Sequence, residues 1–600
     1  MQLKLFKLRF RRRLRRSQRQ VEGLSEQAEA NLERHFFKRL GKFVHVWRFI
    51  TTWVVLLVLL GGLVVVQIQA LSNHYQTLQP VPGGTYTEGV LGTFTNANPI
   101  YATSEVDTTV SRLIFAGLLK YNNDNQLVGN LASSWSVNAD GTTYTVHLRP
   151  NLTWQDGKPL TADDVVFTYQ AIQNPDAQSP LQSSWQGIKI AKVNAYTVSF
   201  TLPNPLTSFP SSLTTGIVPQ HLLGSLSMTE LRSADFNTVH PVGAGPFAWN
   251  VLQVADAHPA TAQIEIALTP FDKYWLGAPK LHQFVIHSYA DQNQLIAGFN
   301  HRDVDALVGL RNLPADVASD AGLVKYNFIL TAATMVFFNT TNGVLSDATV
   351  RQALVRAADT NSVLQHLGYA TKAVNEPILK GEVGYNPAYA QAAYNPSQAK
   401  AMLTQDGWIA SKVSGVRSKA GQELAFTIYA PDTTEYRKVG AQLQQNWRAV
   451  GADVRMHYQR TDDFQNTLSL TNNDGSGHGY DAILYGISIG VDPDVFVYWD
   501  SSQVDIRSAR LNLSNYKNST ADSALEAGRT RLDPALRAVK YKPFLQAWQK
   551  DAPALGLYQP RFFYVTHEKV YGLTEHTINA DTGRFENVQN WMIRTAKVTD

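Results

Sequence analysis

Eighteen consecutive residues, Phe49 to Val66 (FITTWVVLLVLLGGLVVV), are almost wholly apolar, and no Asp, Glu, Lys or Arg occurs between Arg48 and Glu88. About twenty helical residues at roughly 1.5 Å each cross a hydrocarbon core of roughly 30 Å, and in lipid every backbone polar group must be paired within the segment. The run is therefore expected to form one membrane-crossing helix, placed at 49–70. A buried core helix of a soluble domain seldom runs this far without a charge. Cleavage as a signal sequence is the competing reading, with Ile68-Gln69-Ala70 as a small-residue site, but 48 residues ahead of the apolar run far exceed a usual leader.

The charge on either side of that run is lopsided. Residues 1–70 hold fourteen Lys and Arg against four Glu, all fourteen within the first 48, and the far flank has none before Arg112. The positive-inside bias then puts residues 1–48 in the cytoplasm as a basic tail and the rest of the chain outside the cell. Leu24, Ala28, Leu32, Phe36 and Leu40 recur every fourth residue, which predicts an amphipathic helix at the inner membrane surface. RNA binding by the Arg-rich start is an alternative, but anionic lipid beside a spanning segment already accounts for the charge.

Beyond residue 70 the chain has 39 basic and 45 acidic residues, a net of about −6, which argues against a nucleic-acid-binding body. Six hundred residues exceed what one core organises, so at least two lobes are expected. The absence of cysteine excludes disulfides, thiolate metal sites, a cysteine nucleophile and a lipidated cysteine anchor.

Residues 71–84 read as a linker, ending in the Pro/Gly stretch Gln79 to Gly84, with a first strand from Thr85 to Val90. Tyr144–Leu148 alternates after the turn at Asn138–Gly141, and a further strand is expected from Tyr196 to Leu202. Helices are expected over Ala348–Leu367, capped by Ser346 or Asp347, and over Ser397–Leu403, Glu435–Val450 and Asp533–Gln549. Strands Leu424–Ala430 and Val454–Tyr458 around the third of these make a βαβ unit, so the body is mixed α and β.

Few constellations suggest chemistry. Asp163 and Asp164 behind Thr161 could be paired acids, but adjacent helical residues diverge by about 100°, so they read as a helix cap. Gly475 to Gly479 lacks the Lys-Ser/Thr of a phosphate loop. No HExxH motif occurs and the histidines are scattered. Neither an enzyme, nor a cofactor, nor a protein-held metal site is indicated, although a metal chelate as ligand stays open.

Several blocks in fixed order resemble the family 5 extracellular solute-binding proteins, the peptide and nickel receptors of ABC importers. They are LASSW at Leu131–Trp135, DGTTYTVHLR at Asp140–Arg149, WQDG at Trp154–Gly157 and TADDVVF at Thr161–Phe167. PVGAGPF at Pro241–Phe247, YWLGAPK at Tyr274–Lys280, FNTT at Phe338–Thr341, YNPSQAK at Tyr394–Lys400 and APALGLYQP at Ala552–Pro560 continue the order.

The resemblance implies a two-lobed α/β periplasmic-binding-protein-like fold of class II, large and with an extra subdomain near 128–240. One lobe would take 85–332 and 556–600, the other 333–555, with crossings near Ala332 and Gly556. Ligand would be enclosed between them by Thr103, Ser104 and Glu105, by Gly309 and Arg311, by Thr334 and Met335, and by Ser488, Gly490 and Asp492. In peptide receptors of this family a Trp and an Asp in the last loop hold the ligand's ammonium. Here Ile487 and Gly490 fall at those positions. Either Asp492 substitutes, or the ligand lacks a free amine, since an ammonium buried without a counter-charge costs several kcal/mol. The expected function is an anchored extracytoplasmic receptor that passes an oligopeptide, or another small solute such as an amphiphile or oligosaccharide, to an ABC permease and ATPase. A surface-anchored sensor or adhesin using the same fold is the alternative.

Overall fold

The computed structural model describes residues 47–256, 263–310, 313–470, 477–505 and 510–599. The amphipathic helix expected at 24–40 and the candidate Arg311 lie outside these residues. The chain divides into two compact units, Met1–Gln79 with Thr595–Asp600, and Pro80–Arg594.

In the first unit one helix, Trp47–Tyr75, contains the apolar run. Its Phe49–Gln69 stretch is long and apolar enough to cross a membrane, and none of it is buried, which removes the core-helix reading. The expected linker at 71–84 is not one. The helix continues to Tyr75, and Gln76–Val81 forms a two-stranded sheet with Arg594–Thr599. Pro80 is tolerated there because a two-stranded ribbon has open edges on which a missing N–H breaks no ladder.

The second unit is built on three main sheets. The largest has eight strands, in the order Thr577–Ile578, Val324–Leu330, Arg561–Thr566, Ala306–Val308, Thr85–Leu91, Gln283–Tyr289, Gln263–Pro270 and Phe247–Asp256. A five-stranded sheet follows the order Asp453–Gln459, Ala425–Pro431, Ala482–Ser488, Ala332–Phe338 and Ala554–Tyr558. A four-stranded antiparallel sheet, Ala132–Val137, Thr143–Leu148, Thr197–Thr201 and Lys189–Asn194, falls inside the region expected as a subdomain.

The chain passes between the two larger sheets twice, at Thr331 and at Gln559–Pro560, the second a few residues beyond the position expected. On either side of the passage the same two segments pair antiparallel, Val324–Leu330 with Arg561–Thr566 and Ala332–Phe338 with Ala554–Tyr558. Leu330 N donates to Pro560 O at 2.9 Å and Gln559 Nε2 to Leu330 O at 3.0 Å, so backbone pairing is bridged across the change of sheet.

Local chemistry explains the helices. Thr161 and Asp164 form a reciprocal capping box at Ala162–Gln173, while the neighbouring Asp163 pairs with Lys192 at 2.7 Å. The single helix expected over Ala348–Leu367 is two, Ala348–Ala357 and Thr360–Leu367. Asp359 breaks it by capping the second helix through Ser362 N at 3.1 Å, an interaction that competes with continued helix. The βαβ unit runs Ala425–Pro431, Thr434–Arg448 and Asp453–Gln459, with the strands parallel.

Beneath the eight-stranded sheet lies a fully buried ion pair, Glu88 with Arg584. Tyr564 donates to Glu88 Oε2 at 3.0 Å and its hydroxyl meets that of Tyr86 at 2.6 Å, while Arg584 also reaches Thr109 Oγ1 at 3.1 Å and Asp581 O at 2.8 Å. Arg584 lies over the Phe585 ring at 4.0 Å. Burial pushes the Glu88 carboxyl up while Arg584 pulls it down. Removing one member of such a pair strands a buried charge. Arg584→Ala should therefore lower the unfolding free energy by about 3–5 kcal/mol, read as a lower urea midpoint at unchanged slope.

Candidate functional site

The first candidate residues gather at the start of one helix. Ser104 caps Glu105–Ile114 by accepting from Asp107 N at 3.0 Å, and Asp107 in turn accepts from Thr95 N at 2.7 Å and Asn96 N at 3.0 Å. Thr103 is exposed in the preceding bend, and Ser104 is a structural cap. Gly309 comes to the same place with φ +87, where a Cβ would sit 3.0 Å from both Glu105 Oε2 and Leu91 Cβ. Only glycine meets both the dihedral and the space. Glu105 Oε1 is buried without a hydrogen-bond partner. Burial, then the neighbouring Asp581, push its carboxyl up to about 8 against the pull of Arg584.

A second group lies on and after the five-stranded sheet. Met335 is fully buried in the apolar cluster that also holds Phe337 and Trp499. Thr334 is also buried, its hydroxyl unpartnered and facing Gly486. Ser488 pairs with Ala332 in the ladder and its carbonyl accepts from the Tyr498 hydroxyl at 2.6 Å. Gly490, with φ +78, donates to Thr331 O at 3.0 Å, which ties this loop to the first strand crossing. Asp492 does not offer the free carboxylate considered from sequence: Arg537 holds both its oxygens, one at 3.0 Å.

Around these residues, side chains join the four-stranded sheet to the layer of the five-stranded one. Thr207 N and Oγ1 each donate to Arg529 O at 3.0 Å, Ser208 donates to Asp494 at 3.2 Å, and Arg529 bridges back to Asp494 at 2.7 Å. Nearby, burial pushes Glu382 up to about 8 and Glu376 up to about 7. Glu376 is fully buried with one oxygen unpartnered.

A cavity of about 330 Å³ opens along the helix that begins at Glu105. One wall is that helix and its approach, from Pro99 to Phe115. The others are the Tyr121–Asn125 turn, Thr214–Gly216 and the segment 576–586. Asn579 closes one end by donating to Asn125 Oδ1 at 2.9 Å and accepting from Thr331 Oγ1 at 2.5 Å. The 576–586 segment was not anticipated from sequence. It carries no motif, and only the sheet order brings it beside residues some 470 positions earlier.

Comparison with known proteins places this geometry. The description Bacterial extracellular solute-binding proteins, family 5 Middle, matches residues 126–507. The oligopeptide-binding protein AppA of Bacillus subtilis is 26% identical over 509 residues, 83% of this chain and 90% of that protein. Its solved structure, in complex with a nonapeptide, superposes with a TM-score of 0.66 at 25% identity, covering 86% of this chain and all of that one. NikZ of Campylobacter jejuni, solved with Ni(L-His), gives a TM-score of 0.69 at 25% identity over 85% of this chain and 99% of its own.

Glu105, Glu376 and Glu382 all have folded pKa values above the ordinary 4.5. The stability they contribute is complete below about 4.5 and is lost as pH rises through 7 to 8. The buried His478, pulled down to about 4 by burial and Arg510, opposes this only below its ordinary 6.5. The melting temperature should therefore fall between about pH 6.5 and 8.5. The triple variant Glu105→Gln, Glu376→Gln, Glu382→Gln should flatten that slope in a scanning calorimeter.

Proposed function

This chain belongs to the family 5 bacterial extracellular solute-binding proteins, and from that premise we propose that it is a membrane-anchored receptor that captures a short oligopeptide for an ABC importer. It is a binding protein and not an enzyme, as its family and relatives are. The observation that carries the ligand reading is the cavity of about 330 Å³ along the helix that begins at Glu105, whose walls all belong to 85–332 and 556–600 and include none of the described candidate residues named from the resemblance. Its volume lies at the small end of ligand pockets, which span roughly 300–1,000 Å³. A peptide of a few residues, or a solute of that bulk, suits it better than a long one.

On this reading the eight- and five-stranded sheets are the cores of two lobes, 85–332 with 556–600, and 333–555. Closure about the two crossings encloses the ligand, and the closed form is what a permease and its ATPase recognise. Phe49–Gln69 is the anchor, supported by its full exposure and by the fourteen basic residues ahead of it. The Asp492–Arg537 pairing favours a ligand whose amine, if it has one, is not buried against this loop.

Two measurements test the proposal. The full chain in detergent, melted with pooled tripeptides, should gain about 2.7 kcal/mol at a ligand concentration 100 times the dissociation constant; no gain with any pool sinks the peptide reading. In cells, the chain should stay in the membrane pellet after alkaline carbonate extraction and become soluble on deletion of 49–70. Recovery of a mature protein starting after Ala70 would show a cleaved signal instead.

A further inference from the structure

Among the described residues the cavity lining carries more positive than negative charge, Arg112 and Lys120 against Glu586. Arg112 lies in the last turn of the helix Glu105–Ile114 and lines the cavity one helical turn beyond Thr108. Among the described residues its guanidinium makes no hydrogen bond and no ion pair. The only carboxylate among the lining residues, Glu586, is engaged through one oxygen: its Oε1 lies 2.8 Å from Lys120 Nζ, with both side chains about one-tenth exposed, while its Oε2 is buried without a hydrogen-bond partner. Lys120 also donates to the Glu586 carbonyl at 3.3 Å. A further cation, Arg149, stands close by, occupied with Asn130 O at 2.7 Å and stacked 3.8 Å over Trp275. Two lining cations, Arg112 and Lys120, thus stand against one lining carboxylate, with Arg149 near enough to act on Lys120. The excess is felt locally: burial pulls the Lys120 ammonium down, Glu586 resists, and Arg112 and Arg149 add to the fall.

A half-buried guanidinium with its donors unused, in a lining that also includes Ser111 and Thr215, is suited to a planar anion. Arginine's fork matches a carboxylate through two parallel hydrogen bonds, and such charge-assisted bonds are the strong ones. We infer that Arg112 is the specificity-determining residue of this cavity and that the ligand presents it with a carboxylate. This rests on the proposed reading of the cavity as the ligand site and narrows it, by placing the ligand's negative end toward Arg112. The carboxylate could be the C-terminus of a peptide or belong to a free organic acid.

The test uses the full chain in detergent and reads affinity from ligand-induced melting shifts. Three probe sets are compared: a pool of tripeptide free acids, the same pool as C-terminal amides, and a panel of small di- and tricarboxylic acids at matched ionic strength. With a peptide carboxylate, the free-acid pool binds the wild type at least about tenfold more tightly than the amide pool. Arg112→Gln then loses that preference while binding amides as before. Arg112→Lys, which keeps the charge but not the fork, retains part of it and decides the matter should the glutamine variant fail to fold. If only the organic acids stabilise the wild type, and do so through Arg112, the anion site stands and the peptide reading falls. The inference is overturned if acids and amides bind equally, if both variants bind the free acids as the wild type does, or if no carboxylate stabilises the wild type.

Discussion

Two strand segments, Val324–Phe338 and Ala554–Thr566, run side by side through both large sheets of the body. The ladder they form changes sheets at Thr331 and Gln559–Pro560, where Pro560 can offer a carbonyl but no N–H. Side chains and distant backbone complete the pairing: Gln559 Nε2 reaches Leu330 O, Thr331 N reaches Ile578 O, and Ile489 and Gly490 both donate to Thr331 O. One residue, Thr331, is thereby held by the loop after Ala482–Ser488 and by the strand Thr577–Ile578 together.

Much of the fold was legible because short-range chemistry decides it. The Thr161 cap, the hairpin strand through Tyr144 and the βαβ unit around Thr434–Arg448 follow from residues within a few positions of one another. Where the reading failed, a local competitor or a distant partner intervened. Asp359 splits a helix by capping its second half, and Gln76–Val81 becomes a strand only because Arg594–Thr599, at the far end of the chain, pairs with it. The FNTT block shows the same limit from the other side. Asn339 is recognisable as a family residue, but its task, donating to His478 O at 2.9 Å and Tyr480 O at 2.6 Å while accepting from Asn515, is set by segments far along the sequence.

None of the described candidate residues named from the resemblance lines the cavity. Resemblance located the helix start at Ser104–Glu105 and its approach to Gly309. It also pointed to Met335, which the sheet buries, and to Asp492, which Arg537 claims. Arg112 went unremarked because an arginine near a helix C-terminus is ordinary in sequence, where it complements the helix dipole. Its significance appears only when the partners of Lys120 and Glu586 have been assigned.

The contacts of Thr207 and Ser208 with Arg529 and Asp494 bear on how tightly any solute is held. On the two-lobed reading they hold the binding protein shut, so a ligand enters only the fraction of molecules in which they are open. The apparent dissociation constant is the intrinsic one divided by that fraction. Part of the fastening is the Arg529–Asp494 pair, whose side chains are only 24% and 13% exposed, so salt screens it weakly. On that reading affinity depends on these fastening contacts as well as on the groups that touch the ligand.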